Sequence, residues 1–287
     1  MSYHYYVSGW IGRTGNHLLQ LSHAIYLAEK YGGICEFREN DFFRNKIFDF
    51  SNGIPIENYF NESFWELNPK YTLSTENYSE DLHQERPRIL RDYILPIFNP
   101  YKKIDSNFDL VINIRGGDIL TGKGSPPQYV QAPLSYFLYI LEKENPKKVL
   151  LVCEDRKNPV INQLEKTNYN IEVHADNDPF TDANEVLNSK KLVIGGVSTF
   201  TLLLAQMSFN VDTVYYPKFE DGWNLSEDEL WKRDHWYNFE NFLGIMKSNI
   251  VPVTINNYIK IGRWGDYSLE EKIEHMLNHS TEDLFIK

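Results

Sequence analysis

The residues best suited to chemistry begin with Arg115-Gly116-Gly117-Asp118, which follows the apolar run Leu110-Val111-Ile112. Arginine offers a planar fork of donors that matches phosphate, and glycines let backbone N–H groups come close to an anion. A cation and bare backbone at the end of a strand therefore read as a phosphate or diphosphate site. The alternative is an edge turn with a surface ion pair. A second candidate is Gly195-Gly196-Val197-Ser198-Thr199-Phe200-Thr201. A helix starting at Ser198 or Thr199 would offer hydroxyls and N–H groups to an anion; plain capping by Ser is the other reading. A third is Gly9-Trp10-Ile11-Gly12-Arg13-Thr14-Gly15-Asn16, where Gly15 and Asn16 at a helix start could hold an anion or a sugar; a turn plus cap is the alternative. Acidic residues stand at another strand end, Glu154-Asp155.

These stretches need a scaffold that brings them together. The first half opens with a strand over 3–8, then the glycine-rich loop, then a long amphipathic helix. Leu18, Leu19, Leu21, Ala24, Ile25, Leu27 and Ala28 recur at three- and four-residue spacing. Tyr31-Gly32-Gly33 ends the helix and 34–37 makes a second strand. From 38 to 85 the pattern is irregular. Its aromatics, Phe42, Phe43, Phe48, Tyr59, Phe60, Phe64 and Trp65, pack or line an acceptor groove. A helix is expected over 87–98, and the polar, Pro-containing 99–107 marks a domain boundary. After it, strands at 110–114, 148–153, 170–173, 191–194 and 213–216 alternate with helices at 133–144, 158–166, 182–189 and 199–207. That alternation means a doubly wound parallel sheet, whose carboxyl edge binds ligands. Arg115, Glu154 and Ser198 would all fall on that edge. The loop Gly124–Tyr129 either covers the site as a lid or merely connects. Arg233, Asp234, His235, Trp236 and Tyr237 precede a helix over 238–246, and the last amphipathic helix spans 268–278.

Composition narrows the classes. A net charge of -11 disfavours a general nucleic-acid binder. Cys35 and Cys153 sit in apolar strand contexts without metal-ligand spacing, and read as buried free thiols. The start of the chain lacks a basic and apolar leader pattern, and no apolar run reaches the roughly 20 residues of a membrane span. A cytoplasmic protein is expected, which discounts the sequons at Asn61, Asn77, Asn224 and Asn278. Neither opening strand is followed by G-x-G-x-x-G, so a dinucleotide-dependent dehydrogenase is disfavoured.

Three segments, in order, resemble the fucosyltransferase superfamily that carries an H-x-R-R-G-D type motif, nearest its α-1,2-fucosyltransferase branch. Gly12-Arg13-Thr14-Gly15-Asn16-His17-Leu18-Leu19-Gln20 resembles the family's G-G-x-G-N-Q-x-x-Q loop and helix. Asn113-Ile114-Arg115-Gly116-Gly117-Asp118 resembles H-x-R-R-G-D. Val197-Ser198-Thr199-Phe200-Thr201 is similar to N-S-S-F-S. The motif's His is Asn113 here, its second Arg is Gly116, and the Asn before the serines is Val197.

The resemblance implies a GT-B-like α/β fold: two Rossmann-like doubly wound domains with a C-terminal helix crossing back. Residues 1–105 would form the acceptor-side domain, 106–235 the nucleotide-sugar domain, and 236–287 a helical tail packed on the first domain. It implies inverting, metal-independent transfer of fucose from GDP-fucose to a glycan acceptor, without a cofactor. No D-x-D-like pair stands where a metal would be expected. Arg115 would neutralise the departing diphosphate, with donors from Gly116, Gly117, Ser198 and Thr199, and with Gly12, Gly15, Asn16, Asn113 and Phe200 as further donor contacts. Asp182 or Glu154 would read a guanine edge. Asp118 is a candidate base, although orienting Arg115 is its leading role; Asn16 or His17 could position the acceptor. Two other readings stand beside this one: the same scaffold with another nucleotide sugar, and a non-catalytic nucleotide- or carbohydrate-binding module.

Overall fold

The computed structural model describes residues 2–10, 12–62, 80–175, 178–220, 222, 246 and 248–286. Phe64, Trp65, the 233–237 cluster and 238–245 of the helix expected at 238–246 lie outside the described residues. The chain divides into two compact units. The first takes in Met1–Lys102, Thr199–Phe209 and Asn241–Met246, and the second Lys103–Ser198, Asn210–Glu240 and Lys247–Lys287.

In the first unit, strand β1 (Ser2–Val7) leads through the glycine loop into helix α1 (Thr14–Lys30) and on to β2 (Ile34–Phe37). The apolar positions of α1 are buried as their spacing demands. Beyond it, Gly32 takes a φ of +63, a conformation glycine adopts without a Cβ penalty. β3 (Phe48–Asp49) and β4 (Ile56–Glu62) complete a sheet of order β3-β2-β1-β4, in which β1 pairs parallel to both β2 and β4. The segment expected to be irregular thus supplies two strands. β4 escapes a pattern reading because Ile-Glu-Asn-Tyr-Phe-Asn-Glu is polar, as an edge strand can be. Helix α2 (Glu80–Ile89) starts earlier than expected and carries Pro87 within it; one π turn and one 3₁₀ turn carry the chain on to Ile97.

The second unit is a seven-stranded sheet. It starts at its middle with β5 (Leu110–Ile114). Helix α3 (Leu134–Glu144), β6 (Val149–Cys153), α4 (Pro159–Leu164) and β7 (Ile171–Ala175) build outward on one side. Helix α5 (Pro179–Asn188) then returns the chain to β8 (Lys191–Ile194), which pairs with β5 on its other side. Helix α6 (Thr199–Met207), β9 (Thr213–Phe219) and β10 (Asn249–Ile255) follow. The order β11-β10-β9-β8-β5-β6-β7, with β11 (Leu284–Ile286) antiparallel to β10, has its topological switch between β5 and β8. That is the crevice where a doubly wound sheet takes its ligand. β5 and β6 are buried at every position, as central parallel strands covered on both faces must be.

Two boundary expectations change. α6, placed by sequence in the second domain, belongs to the first unit and packs on α1. Its run Leu202–Met207 is buried, and the face of α1 satisfies it. Of the 236–287 tail expected to pack on the first domain, the residues after 246 belong to the second unit. Those described supply β10 and β11 to the second sheet, and helix α7 (Leu269–Asn278) packs on α3 and α4. α7 is opened by a capping box between Ser268 and Glu271.

Candidate functional site

Arg115 leaves the carboxyl end of β5 at the switch point, half-buried. Its Nη1 donates to the Val197 carbonyl at 3.3 Å, so the guanidinium bridges from the end of β5 to the loop after β8. The Tyr129 ring lies against it, 4.6 Å from guanidinium carbon to ring centroid. Its own carbonyl accepts from Asn158 Nδ2 at 3.0 Å. The same buried Asn158 caps α4 by accepting from the Val160 N–H at 3.1 Å. One asparagine thus fixes both the backbone of Arg115 and the start of the next helix.

The two glycines both pack against Asp155. A Cβ on Gly116 would stand 2.3 Å from Asp155 Oδ1, so the carboxylate occupies the space a side chain would need. Gly117 takes a φ of +63, and its N–H donates to the same oxygen at 3.3 Å. Asp155 also accepts from the Lys157 N–H at 2.9 Å. The Gly117 N–H, expected to face a diphosphate, is thus engaged within the loop. Asp118 follows in a one-turn helix, Gly117–Leu120; its side chain lies outside the described residues. Glu154 is exposed at the end of β6.

Across the switch point, the loop after β8 is tightly laid. Gly195 N–H donates to the Asn113 carbonyl at 2.9 Å, and Ala132 N–H to the Gly195 carbonyl at 2.8 Å. Gly196 pairs with Gln131. Ser198 is buried at the end of this loop. Asn113, expected at the nucleotide, is buried within the strand pair, where its Nδ2 donates to the Val152 carbonyl at 3.3 Å.

Asp182 is the unusual acid. It lies in the first turn of α5 and is 8% exposed, and its Oδ1 has no hydrogen-bond partner among the described residues. Burial pushes its carboxyl up to about 7; His174 opposes the rise, while Asp178 and Glu185 add to it. A buried carboxylate with an open oxygen is a costly arrangement that a hydrogen-bond donor would relieve.

The first unit carries the remaining residues. Gly15 sits where α1 and α6 meet: a Cβ there would stand 2.4 Å from the Phe200 nitrogen and 2.6 Å from Thr199 Oγ1. Thr199 Oγ1 donates to Asn16 Oδ1 at 3.3 Å. Two motifs far apart in sequence thus meet at two helix N-termini, and neither first turn carries an acid. The N–H groups of Asn16 and His17 both close onto the Arg13 carbonyl, at 2.8 and 3.2 Å. The Asn16 backbone N–H is thus engaged within the loop, while its side chain reaches Thr199. Gly12 has a φ of +80, with the Asn16 amide packed over it. Gln20 Nε2 ties the loop from behind, donating to the Gly9 carbonyl at 3.0 Å. Burial pushes the His17 imidazole down to about 4, against a backbone contact at Gly12. It is neutral at pH 7 and a weak base, which suits positioning better than proton removal. Its ring lies 5.1 Å from Trp10 and 6.2 Å from Phe42.

From sequence, Asn158 is only the start of a helix and Tyr129 only the end of the Gly124–Tyr129 loop. An Asn-Pro at a helix start signals a cap; nothing in the pattern says that it also holds Arg115. Among the described residues there is no cluster of His, Cys, Asp and Glu that could hold a metal ion, and no helix long and apolar enough to cross a membrane.

No protein-family model matches the chain, and no curated protein matches it. Among solved structures it is similar to POFUT1 in complex with GDP-fucose, with a TM-score of 0.42 and 11% identity over 75% of this chain and 97% of that one. POFUT1 in complex with GDP gives a TM-score of 0.39 and 10% identity over 75% and 98%. Its apo form gives 0.40 and 10% over 71% and 94%. Identities this low say nothing of residue roles.

Proposed function

We propose that this chain is a glycosyltransferase that takes its sugar from a nucleoside diphosphate donor, with GDP-fucose the first choice and a glycan hydroxyl the acceptor. The observation that carries the reading is Arg115, held at the β5–β8 switch point by Val197 and Tyr129. The reaction it supports balances simply. The acceptor oxygen bonds to the anomeric carbon as the bond from that carbon to the diphosphate oxygen breaks. The sugar inverts, the diphosphate leaves with the bonding electrons, and the hydroxyl proton passes to a base. Negative charge grows on the leaving diphosphate, where a fixed guanidinium is most effective. Ser198 adds a hydroxyl at the same edge.

Asp182 reads the base in this account, in preference to the exposed Glu154. Its ionised carboxylate would accept from the N1–H and N2–H of guanine, and its buried open oxygen is the support for that choice. Asp118 remains a candidate base or orienting group. The transfer needs no metal in this account.

One observation favours the second reading, another nucleotide sugar on this scaffold. Where the family carries a second Arg, Gly116 stands here with Asp155 filling the space beside it. A diphosphate would meet one guanidinium rather than two.

A thermal-shift panel of GDP, UDP, CDP, ADP and their sugars, with and without Mn²⁺, tests the proposal. A ligand that binds only the folded state raises Tm with its concentration over Kd. Shifts with GDP and GDP-fucose alone, indifferent to metal, are expected. A shift with UDP would replace the donor, and no shift with any of them would contradict the enzyme reading.

A further inference from the structure

We infer that Tyr129 is a positioning residue for Arg115, stacking the guanidinium in the orientation in which it meets a diphosphate. The inference rests on the nucleotide reading above.

An arginine side chain has much rotamer entropy to lose when it is fixed. The hydrogen bond to the Val197 carbonyl, at 3.3 Å, holds an end of the fork. The Tyr129 face, 4.6 Å from the guanidinium carbon, holds the plane. Stacking covers a face, so the ring sets the plane in which the N–H groups lie.

The ring can aim only if its loop is fixed, and the loop is fastened along its length. Trp264 Nε1 donates to the Ile119 carbonyl at 2.9 Å. Lys272, with no exposed surface, donates from Nζ to the Thr121 and Gly122 carbonyls at 2.6 and 3.1 Å and to Ser125 Oγ at 2.6 Å. Its ammonium also lies 5.1 Å from the Trp264 ring centroid. Gly124 N–H donates to the Gly265 carbonyl at 2.9 Å, and the Gly262 and Trp264 N–H groups share the Pro127 carbonyl at 3.1 and 3.0 Å. Tyr258 Oη donates to the Gln131 carbonyl at 2.8 Å. A loop secured at Ile119, Thr121, Gly122, Gly124, Ser125, Pro127 and Gln131 is a brace rather than a flap. What it carries, two residues past Pro127, is the ring on Arg115.

The test is calorimetric titration of the full chain with GDP and with inorganic pyrophosphate, for wild type, Tyr129→Leu and Tyr129→Phe. Leucine keeps bulk in the loop and removes the π face; phenylalanine keeps the face and removes the hydroxyl. Tyr129→Leu is expected to weaken both ligands by a similar factor, about 5- to 30-fold, with the Tm little changed. Tyr129→Phe should stay within about twofold of wild type, the rescue expected if the face alone acts. Wild-type affinity in Tyr129→Leu, a Tyr129→Phe variant as weak as Tyr129→Leu, or a loss confined to GDP would overturn the inference while leaving the donor site standing. Failure of the wild type to bind either ligand would overturn the nucleotide reading, and the inference with it.

Discussion

At the scale of single residues, the proposed function would have Asp182 and Arg115 divide the work of holding an anion with a base attached. Asp182 makes the chain sensitive to pH before any ligand arrives. Its folded value, about 7, lies above the ordinary 3.8, so folding favours the protonated form. The stability this contributes is complete below about pH 4 and is lost as pH rises through about 7. Asp182→Asn should therefore be more stable than wild type at pH 8, by the order of a few kcal/mol, and indistinguishable from it near pH 4. Urea unfolding at the two pH values reads this directly; an equal difference at both would mean that burial does not raise the carboxyl. The same variant should lose GDP affinity at pH 8, because an amide cannot replace a carboxylate that accepts two hydrogen bonds. A residue that costs stability while it is ionised and gains a partner on binding is how a recognition site differs from a packing site.

At the scale of elements, the meeting of α1 and α6 is a tight constraint in the first unit. Gly15 leaves no room for a methyl group against the Phe200 backbone, at 2.4 Å. Gly15→Ala should cost about 1–3 kcal/mol, seen as a lower midpoint in urea with no change in slope; an unchanged midpoint would mean that the helices separate freely. The apolar runs of β5, β6 and β8 were legible in the sequence because a central parallel strand is buried on both faces. β4 and β10 were not. The first is polar along its length, and the second carries Pro252, a residue that normally argues against a strand. The site was legible to the same degree. Arg115 and Ser198 announce themselves at strand ends. Tyr129, Asn158 and the packing of Asp155 into the Gly116 space depend on contacts between residues distant in sequence, which no local pattern encodes. The Asn16–Thr199 contact joins two motifs 183 residues apart.

At the scale of the whole molecule, two α/β units each offer the carboxyl edge of a parallel sheet, and the chain passes from the second into the first at Ser198–Thr199 and back again. The division is not the simple succession that sequence suggests, because α6 is lent to the first unit and the C-terminal strands return to the second sheet. The chain as a whole carries a net charge of -11, so its field repels a nucleoside diphosphate. Affinity for one has to come from donors focused at a single place, and Arg115 is the cation the fold sets at the switch point. The direct measurement is calorimetric titration of GDP into wild type and Arg115→Ala at pH 8, with melting curves for both. The account predicts saturable binding by the wild type, at least a hundredfold weaker binding by the variant, on the order of 3 kcal/mol for a charged hydrogen-bonding group, and closely similar melting curves. A folded Arg115→Ala protein that binds GDP as the wild type does would contradict it.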